Sequence, residues 1–448
     1  MGLLLFFRKR CLFMNKYIEF NNQTKKKELL VEECLEDFLA ENPIIIFDGV
    51  PSIYIDGVYE EISQASISNL MFRYLPFEPK ERKIMIEQTM DYISAKLKSF
   101  KKIESHKLNK LIVAFNDKAF DVSTGCLIDY NPDVYIKQKL PFDYNPNANR
   151  DFMNKAISVW ANDDSNIEAL IQEMIGSTIT NSFNLRKAFM LVGPKNDGKS
   201  ALLEVMEHLV GEENCSHISL KEMKKDTYVA SLNGKLLNCA DDIDDKAMHD
   251  TSVFKNIVSH GNVTGKFLYK DPFSFKPYCT LIFSANSAPY IKDRTGDIKK
   301  RLIVIPFNNN LTVENSARLD NFLFDAIEEE NLQALANIGI EALTRLMANR
   351  FEYTIVEKSE NSYDQMLIDN DPAFYFVSHV INKDDVLGNT PAALFGAFNA
   401  WRNDNSDFDG EITQNMFSRI VCNTYAVKSE NHSDPTAPNR FQRIYIEK

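Results

Sequence analysis

FMLVGPKNDGKSALLEVMEHL, from Phe189 to Leu209, contains a strand, a loop and a helix in succession. Phe189 to Val192 is a short apolar run, the mark of a strand buried on both faces. Gly193-Pro194-Lys195-Asn196-Asp197-Gly198-Lys199-Ser200 matches G-x-x-x-x-G-K-[ST] in full. Ala201 to Leu209 continues with helical spacing. Phosphate chemistry needs this order. Glycines let successive backbone N–H groups wrap phosphate oxygens, and the following helix N-terminus adds a favourable dipole. All eight loop residues are therefore candidate nucleotide contacts. Lys199 is expected on the β- and γ-phosphates and Ser200 on Mg²⁺, so ATP and Mg²⁺ are the expected cofactors. A chance glycine-rich turn is the plain alternative, and the correct flank on each side argues against it.

Downstream, Leu236-Leu237-Asn238-Cys239-Ala240 reads as a second strand ending in Asp241-Asp242. One carboxylate beside a phosphate loop can hold the metal while the next polarises the attacking water. Asp241 is assigned to the metal and Asp242 to water activation. Asp244 and Asp245 follow closely, and without the phosphate loop a solvated acidic turn would be the better reading. Thr280 to Ser284 is a third apolar strand and ends Ala285-Asn286. An amide there can contact the γ-phosphate or its water. Arg301 follows after Lys299-Lys300 and precedes the strand Leu302 to Pro306. An arginine so placed suits a finger that stabilises charge on a neighbour's transferring phosphate. Alone it would be read as a surface arginine.

Between the acids and Asn286, Phe254 to Pro277 interleaves Lys255, Lys266, Lys270 and Lys276 with Phe267, Tyr269, Phe273 and Phe275. Basic and aromatic residues around a hairpin suit a loop that grips a single strand of nucleic acid. Lys270 at the expected tip, with Tyr269 beside it, is the expected DNA contact. Phe273 and Phe275 are read as core strand residues.

The alternation of strands and helices from Phe189 to Phe307 is the pattern of an α/β domain with a largely parallel sheet. Leu29 to Ala40 has helical spacing. Ile44 to Phe47 is a strand, and Ile53 to Tyr59 is a hairpin around Asp56-Gly57. Lys80 to Lys102 reads as a charged amphipathic helix whose lysines form a solvated face. Leu111 to Phe115 is a strand, with turns at Asn116-Asp117 and Ser123-Thr124-Gly125. Leu140 to Pro146 is an extended linker, and Asp151 to Ala188 is helical with a break near Gly176. Leu319 to Arg350 is helical. From Asp371 the pattern is two helices, a polar loop and a last strand from Phe441 to Ile446, which suggests a small winged-helix module. Phe374, Val377, Leu394, Phe395, Phe398 and Trp401 are expected to form its apolar faces. Arg402, Arg419, Arg440 and Arg443 are available to duplex phosphates.

Bulk composition sets the limits. The 448 residues are 44% hydrophobic and 25% charged, ordinary for a globular chain of several domains. The formal net charge of −12 argues against a sequence-blind DNA coat protein but permits local basic loops. Seven cysteines are dispersed, with no pair at zinc-finger or redox spacing, so neither a zinc finger nor a disulfide framework is expected. Met1 to Phe13 places an apolar run before its basic residues, the wrong order for a signal peptide. Met14 is an alternative start. No apolar stretch is long enough to cross a bilayer, so a cytoplasmic protein with no membrane partner is expected.

The order of these motifs resembles superfamily 3 helicases. It runs from the phosphate loop and the Asp241-Asp242 strand through Ser259-His260-Gly261, the Lys266 to Pro277 hairpin and Ser284-Ala285-Asn286 to Lys300-Arg301-Leu302-Ile303-Val304-Ile305-Pro306-Phe307. The branch it resembles is the phage and plasmid primase-helicases, which are related to the poxvirus primase-helicase. The resemblance covers roughly residues 100 to 448. Weaker support comes from Phe115-Asn116, Thr124-Gly125, Leu140 to Tyr144 and Gly176, similar to the family's accessory region. Phe395 to Trp401, Phe417 and the last strand are similar to its winged-helix tail. The resemblance implies an AAA+-like P-loop ATPase core with a parallel sheet, an α+β N-terminal region and a C-terminal winged-helix domain. The implied division is 1–100, of unknown role; 101–188, accessory region and helical collar; 189–350, ATPase; and 371–448, winged helix. It makes Asn286 the sensor, Arg301 the finger, and Lys266 and Lys270 basic positions of the DNA-binding hairpin. It also implies an ATP-dependent DNA helicase of phage, prophage or mobile-element replication in a bacterial host cytoplasm. That helicase would form a homo-oligomeric ring, a hexamer, around single-stranded DNA. Many relatives carry glutamate where Asp242 stands, which leaves open which acid activates water. Larger relatives have a primase domain at the N-terminus, and the first 100 residues carry no polymerase-like acidic pair, so any primase would be a separate partner. The rival readings are an ATP-regulated DNA-binding initiator or scaffold without unwinding activity, and a packaging ATPase.

Overall fold

The computed structural model describes residues 18–23, 25–71, 91, 100–108, 110–241, 251–286, 297–307, 322–406, 408, 410–433 and 441–447. Met1 to Phe13, Met14, most of the Lys80 to Lys102 segment, Asp242, Asp244, Asp245 and Arg440 lie outside them. The chain divides into two compact units, 1–139 and 140–448.

The first unit is built from short strands and helices. Ile44–Phe47 pairs antiparallel with Val50–Ile55, which pairs with Val58–Glu61. The expected hairpin turns at Asp56 and Gly57, with φ of 46° and 92°. A two-residue turn with both φ values positive matches the twist of its strands, which explains the Asp-Gly pair. Phe47 and Tyr59 are buried and meet edge to face at 6.0 Å. The expected helix at Leu29 starts later, at Val31–Glu41, because Lys26–Leu29 is taken into a strand against Ile18–Asn21. A three-stranded meander, Ile112–Ala114, Ala119–Asp121 and Cys126–Ile128, completes the unit.

The second unit opens with Leu140 and Phe142 buried in an irregular segment, so the expected linker is anchored rather than loose. Helices α1 (Asp151–Trp160) and α2 (Ser165–Thr178) follow. The helical break falls between them. Asn162 and Asp163 take φ of 53° and 56°, and the Asp164 carboxylate caps α2 through Asn166 N and Ile167 N. Gly176, expected to break the helix, lies inside α2. A Cβ there would sit 2.7 Å from the Gly339 carbonyl oxygen of α5 (Glu329–Ala348). Glycine at both positions lets the two helix backbones meet.

The central sheet has five parallel strands. In chain order they are β1 (Ala188–Val192), β2 (Cys215–Ser216), β3 (Leu237–Ala240), β6 (Thr280–Ala285) and β7 (Leu302–Pro306). Their spatial order is β2-β3-β6-β1-β7, all pairs parallel. Strands buried on both faces need apolar residues at every position, and Ala188 to Leu191 are all fully buried. Helix α3 (Lys199–Val210) packs on the sheet through Leu202, Val205, Met206 and Leu209. Burying each of these is worth about 1.5–3 kcal/mol, enough to hold the helix start rigidly against the end of β1. Helix α4 (Ser252–Val258) precedes the antiparallel ribbon β4 (Val263–Gly265) and β5 (Phe273–Phe275). Helix α6 (Glu357–Asn370) packs along β7 and contributes Tyr363 and Met366 to the core under the sheet.

Past α6, helices α7 (Pro391–Asn405) and α8 (Gln414–Thr424) lead to the hairpin β8 (Val427–Ser433) and β9 (Phe441–Glu447), with a core of their own. Val377, Leu394 and Phe398 are buried in that core, and Phe395 and Trp401 pack on its margin. Phe376 adds an aromatic that the pattern did not single out: it meets Phe398 edge to face at 5.7 Å and lies tilted against Trp401 and Phe417 at 5.3 and 6.2 Å. Among the described residues, no helix is long and apolar enough to cross a membrane.

Candidate functional site

In a parallel sheet, loops at the carboxyl ends of the strands share one edge, and side chains gathered there can act on a common ligand. Gly193 follows β1, Asp241 follows β3 and Asn286 follows β6 at that edge. The register aligns Val192 with Ala285 and Ala240 with Phe283, so Gly193 lies level with Asn286 and Asp241 level with Ser284, two residues before it. The acid strand is not beside β1; β6, which carries Asn286, lies between them. The Ser284 hydroxyl donates to the Asp241 carboxylate and fixes it on the β6 side. Ser200, Asp241 and Asn286 are exposed at this edge.

The loop is a tight cradle. A Cβ on Gly193 would lie 1.8 Å from the Phe307 carbonyl oxygen, so only glycine fits between β1 and the end of β7. Asn196 and Gly198 hold φ of 65° and 94°, turning the chain into the first turn of α3. Pro194, Lys195 and Asn196 form an exposed rim. Lys199 is buried. Its ammonium donates to the carbonyls of Gly193 and Pro194 at 2.8 and 2.7 Å and to Asp197 Oδ1 at 2.9 Å. Asp197 is 1% exposed, and its Oδ2 is buried with no hydrogen-bond partner. Burial pushes this carboxyl above the usual range, while the bond to Lys199 pulls it back down. Asp197 therefore occupies the lysine that a phosphate would need. The motif marked Asp197 only as a loop position; its burial and its pairing were invisible in the pattern.

Arg301 lies at the other edge of the sheet. It precedes β7, and its carbonyl accepts from Ala188 N at 2.7 Å, at the start of β1. The five residues of β7 put roughly 16 Å of strand between it and the phosphate-loop edge. Its Nε donates to Ser259 Oγ at 2.9 Å and its Nη1 to the Asp297 carbonyl at 2.8 Å. The guanidinium borders a 790 Å³ cavity that Lys255, Asn256 and Asp226 also line. Lys299 is engaged elsewhere, bound to Asp364 at 2.7 Å and Glu360 at 3.3 Å on α6. In the Ser259-His260-Gly261 turn, His260 is buried, with Nδ1 2.8 Å from the Pro277 carbonyl and Nε2 3.1 Å from that of Leu185. It ties the base of the ribbon to the segment before β1. Burial lowers its pKa against the opposing pull of the two carbonyls.

The β4–β5 ribbon projects an exposed tip. Phe267, Leu268 and Tyr269 are 44%, 76% and 102% exposed, and Lys266 and Lys270 are exposed beside them. Tyr269 holds a φ of 61°, a left-handed conformation a bulky residue rarely takes. The Lys270 ammonium lies 5.7 Å over the Phe267 ring. Phe275 packs on the core as expected. Phe273 does not: it is half-buried in a stack between Phe267 and Phe275, at 5.3 and 5.4 Å. This stack stiffens the ribbon below its tip. At the C-terminal module, Arg419 and Arg443 are exposed and Arg402 is half-buried.

A family model described as a family of unknown function (DUF5906) matches residues 191–301, from β1 to Arg301. The chain is 23% identical over 209 residues to a "Putative helicase" of Acanthamoeba polyphaga mimivirus, covering 44% of this chain and 22% of that protein. It is 21% identical over 354 residues to a "Putative helicase" of the Sputnik virophage, covering 74% of this chain and 42% of that protein. The chain thus spans less than half the length of either relative. An apo structure of the NrS-1 C-terminal region aligns with a TM-score of 0.51 and 13% identity, over 92% of this chain and 98% of that one. At this identity the likeness concerns the fold.

Proposed function

We propose that the chain is an ATP-driven DNA helicase of the superfamily 3 type, working as a homo-oligomeric ring in the replication of a virus, phage or mobile element. One observation carries the proposal: Lys199 and Asp241 share one edge of a parallel sheet, while Arg301 stands at the opposite edge of that same sheet. A cation there is too far away to serve its own phosphate loop, but it suits the pocket of a neighbouring subunit. The helicase names of the viral relatives agree with this reading.

In the proposed site the Gly193 to Ser200 loop binds the triphosphate of ATP. Lys199 leaves Asp197 to meet the β- and γ-phosphates, and Asn286 orients the γ-phosphate end. Ser200 and Asp241 would hold Mg²⁺, and their exposed hydroxyl and carboxylate oxygens are the hard donors this ion takes. Bound there, it would neutralise phosphate charge. Asp242, next along the chain, is the proposed base for water, and Arg301 acts across the interface. The exposed Lys266, Tyr269 and Lys270 would grip single-stranded DNA in the ring channel. Residues 189–350 form the AAA+-like motor in this reading and 371–448 the winged helix, with Arg419 on its last helix and Arg443 on the hairpin facing duplex DNA.

Strand displacement on a forked DNA with each tail polarity tests the proposal. ATP-dependent unwinding that is lost in Lys199→Ala supports it. ATP-dependent binding without displacement at any tail polarity contradicts it and favours an initiator.

A further inference from the structure

One face of the sheet under α3 carries side chains that the phosphate chemistry does not use. Strand β2 runs parallel to β3 with Cys215 beside Leu237 and Ser216 beside Asn238. Continuing that register by one residue brings His217 beside Cys239. Alternation along a strand sends Ser216 and Asn238 to one side, where the Ser216 hydroxyl donates to Asn238 Oδ1 at 2.9 Å. Cys215, His217 and Cys239 go to the other side, beneath α3, and there Glu207 meets them. The Cys239 thiol donates to Glu207 Oε1 at 3.2 Å, and His217 Nδ1 lies 3.6 Å from the same oxygen. One ligand atom from each of Glu207, His217 and Cys239 falls within 4.8 Å of the other two. The cluster is graded in depth: Cys239 is buried at its floor, and the His217 side chain is 56% exposed at its mouth.

We propose that Glu207, His217 and Cys239 form a binding site for a single divalent transition-metal ion of the zinc class. A thiolate, an imidazole and a carboxylate are the mixed donor set that suits zinc and disfavours magnesium or calcium, which take oxygen ligands. Bonds of about 2.0–2.3 Å in a tetrahedral site put ligand atoms roughly 3.3–3.8 Å apart. The separations of 3.2 and 3.6 Å around Glu207 Oε1 are already close to this spacing. Binding releases the Cys239 thiol proton to solvent and leaves the outer coordination position open to water. Cys215, on the same face, turns its thiol toward the Glu207 carbonyl oxygen at 4.0 Å. A disulfide is a poor alternative for the two cysteines. Both are free thiols, and they are offset by two residues in the register of β2 on β3 rather than directly opposite.

The location gives the ion a task. Helix α3 begins with Lys199 and Ser200, and β3 ends next to Asp241. An ion held between Glu207 of that helix and Cys239 of that strand braces the phosphate loop against the acid. The site is independent of what the motor moves, so it stands or falls apart from the helicase reading.

The test uses the full chain, loaded with zinc, dialysed and assayed for metal by mass spectrometry, then exchanged with cobalt(II) for absorption spectroscopy. The expected results are stoichiometric zinc and, with cobalt, a thiolate-to-metal charge-transfer band. Cys239→Ser removes the band. His217→Ala, at an exposed side chain whose loss leaves the fold intact, drops bound zinc well below stoichiometry, and His217→Cys restores it. Absence of retained zinc together with absence of the cobalt band overturns the proposal, as does a band that survives Cys239→Ser.

Discussion

Asp197 and Lys199 show how two residues of one short motif differ in legibility. The turn itself was readable because the loop is contiguous in the chain and its glycines mark where the backbone must bend or pass close, as at Gly198 and Gly193. The buried ion pair was not, because nothing in the spacing says that the carboxylate turns inward. That pair sets up a competition. The Lys199 ammonium is held by Asp197 and two carbonyls, and in the proposed site a triphosphate would have to displace the carboxylate while approaching its negative charge. Asp197→Asn keeps the size and an acceptor for Lys199 but removes the charge. It is therefore expected to tighten ATP binding by about tenfold, or about 1.4 kcal/mol, as measured by isothermal titration. Weaker binding in Asp197→Asn would mean that the carboxylate supports the nucleotide-bound lysine. The Glu207, His217 and Cys239 cluster lies at the opposite extreme of legibility. Its members come from three elements, and only the register of β2 on β3 brings them together, so a search for closely spaced cysteines could not find it.

Elements were legible where their signal is local and strong, as with the apolar strands β1, β6 and β7 and the Asp56-Gly57 hairpin. They were misread where a tertiary partner decides. Gly176 looked like a helix break, yet it is the contact point of α2 on α5. By propensity alone, alanine in a helix is better than glycine by about 1 kcal/mol. Here a Cβ would press on the Gly339 carbonyl, and overpacking costs about 1–3 kcal/mol, so the contact should win. Gly176→Ala is expected to lower the denaturation midpoint; a raised midpoint would mean that the helices part freely. The ribbon gives a second case. Phe273 alternates like a core residue but joins the surface stack, because the ribbon extends beyond the sheet and only Phe275 at its base reaches the core. That leaves Tyr269 at an exposed tip. Stacking on a base is worth about 1–3 kcal/mol. Tyr269→Ala should therefore weaken single-stranded DNA binding about 5- to 150-fold while DNA-free ATPase activity is unchanged. Unaltered affinity in a fluorescence anisotropy titration would remove the tip from the DNA interface.

For the molecule as a whole, the net charge of −12 leaves any grip on DNA to local basic loops. The parallel sheet imposes a further constraint. Its two edges face away from each other, so a chemistry that needs both Lys199 and Arg301 needs two copies of the chain. The order of motifs already set Arg301 just before a strand of an expected parallel sheet, and β7 running parallel to β1 puts it at the edge opposite Lys199. A mixing experiment is the most direct test. Lys199→Ala alone should lose ATPase activity by on the order of 10² or more. Arg301→Ala alone should bind ATP nearly normally yet hydrolyse it slower by on the order of 10³ to 10⁵. In the proposed ring, mixing the two variants would create some interfaces where an intact Lys199 faces an intact Arg301, so mixing should restore measurable ATPase activity. A mixture that stays inactive although co-purification shows mixed rings, or a monomer with full activity, would contradict the shared site.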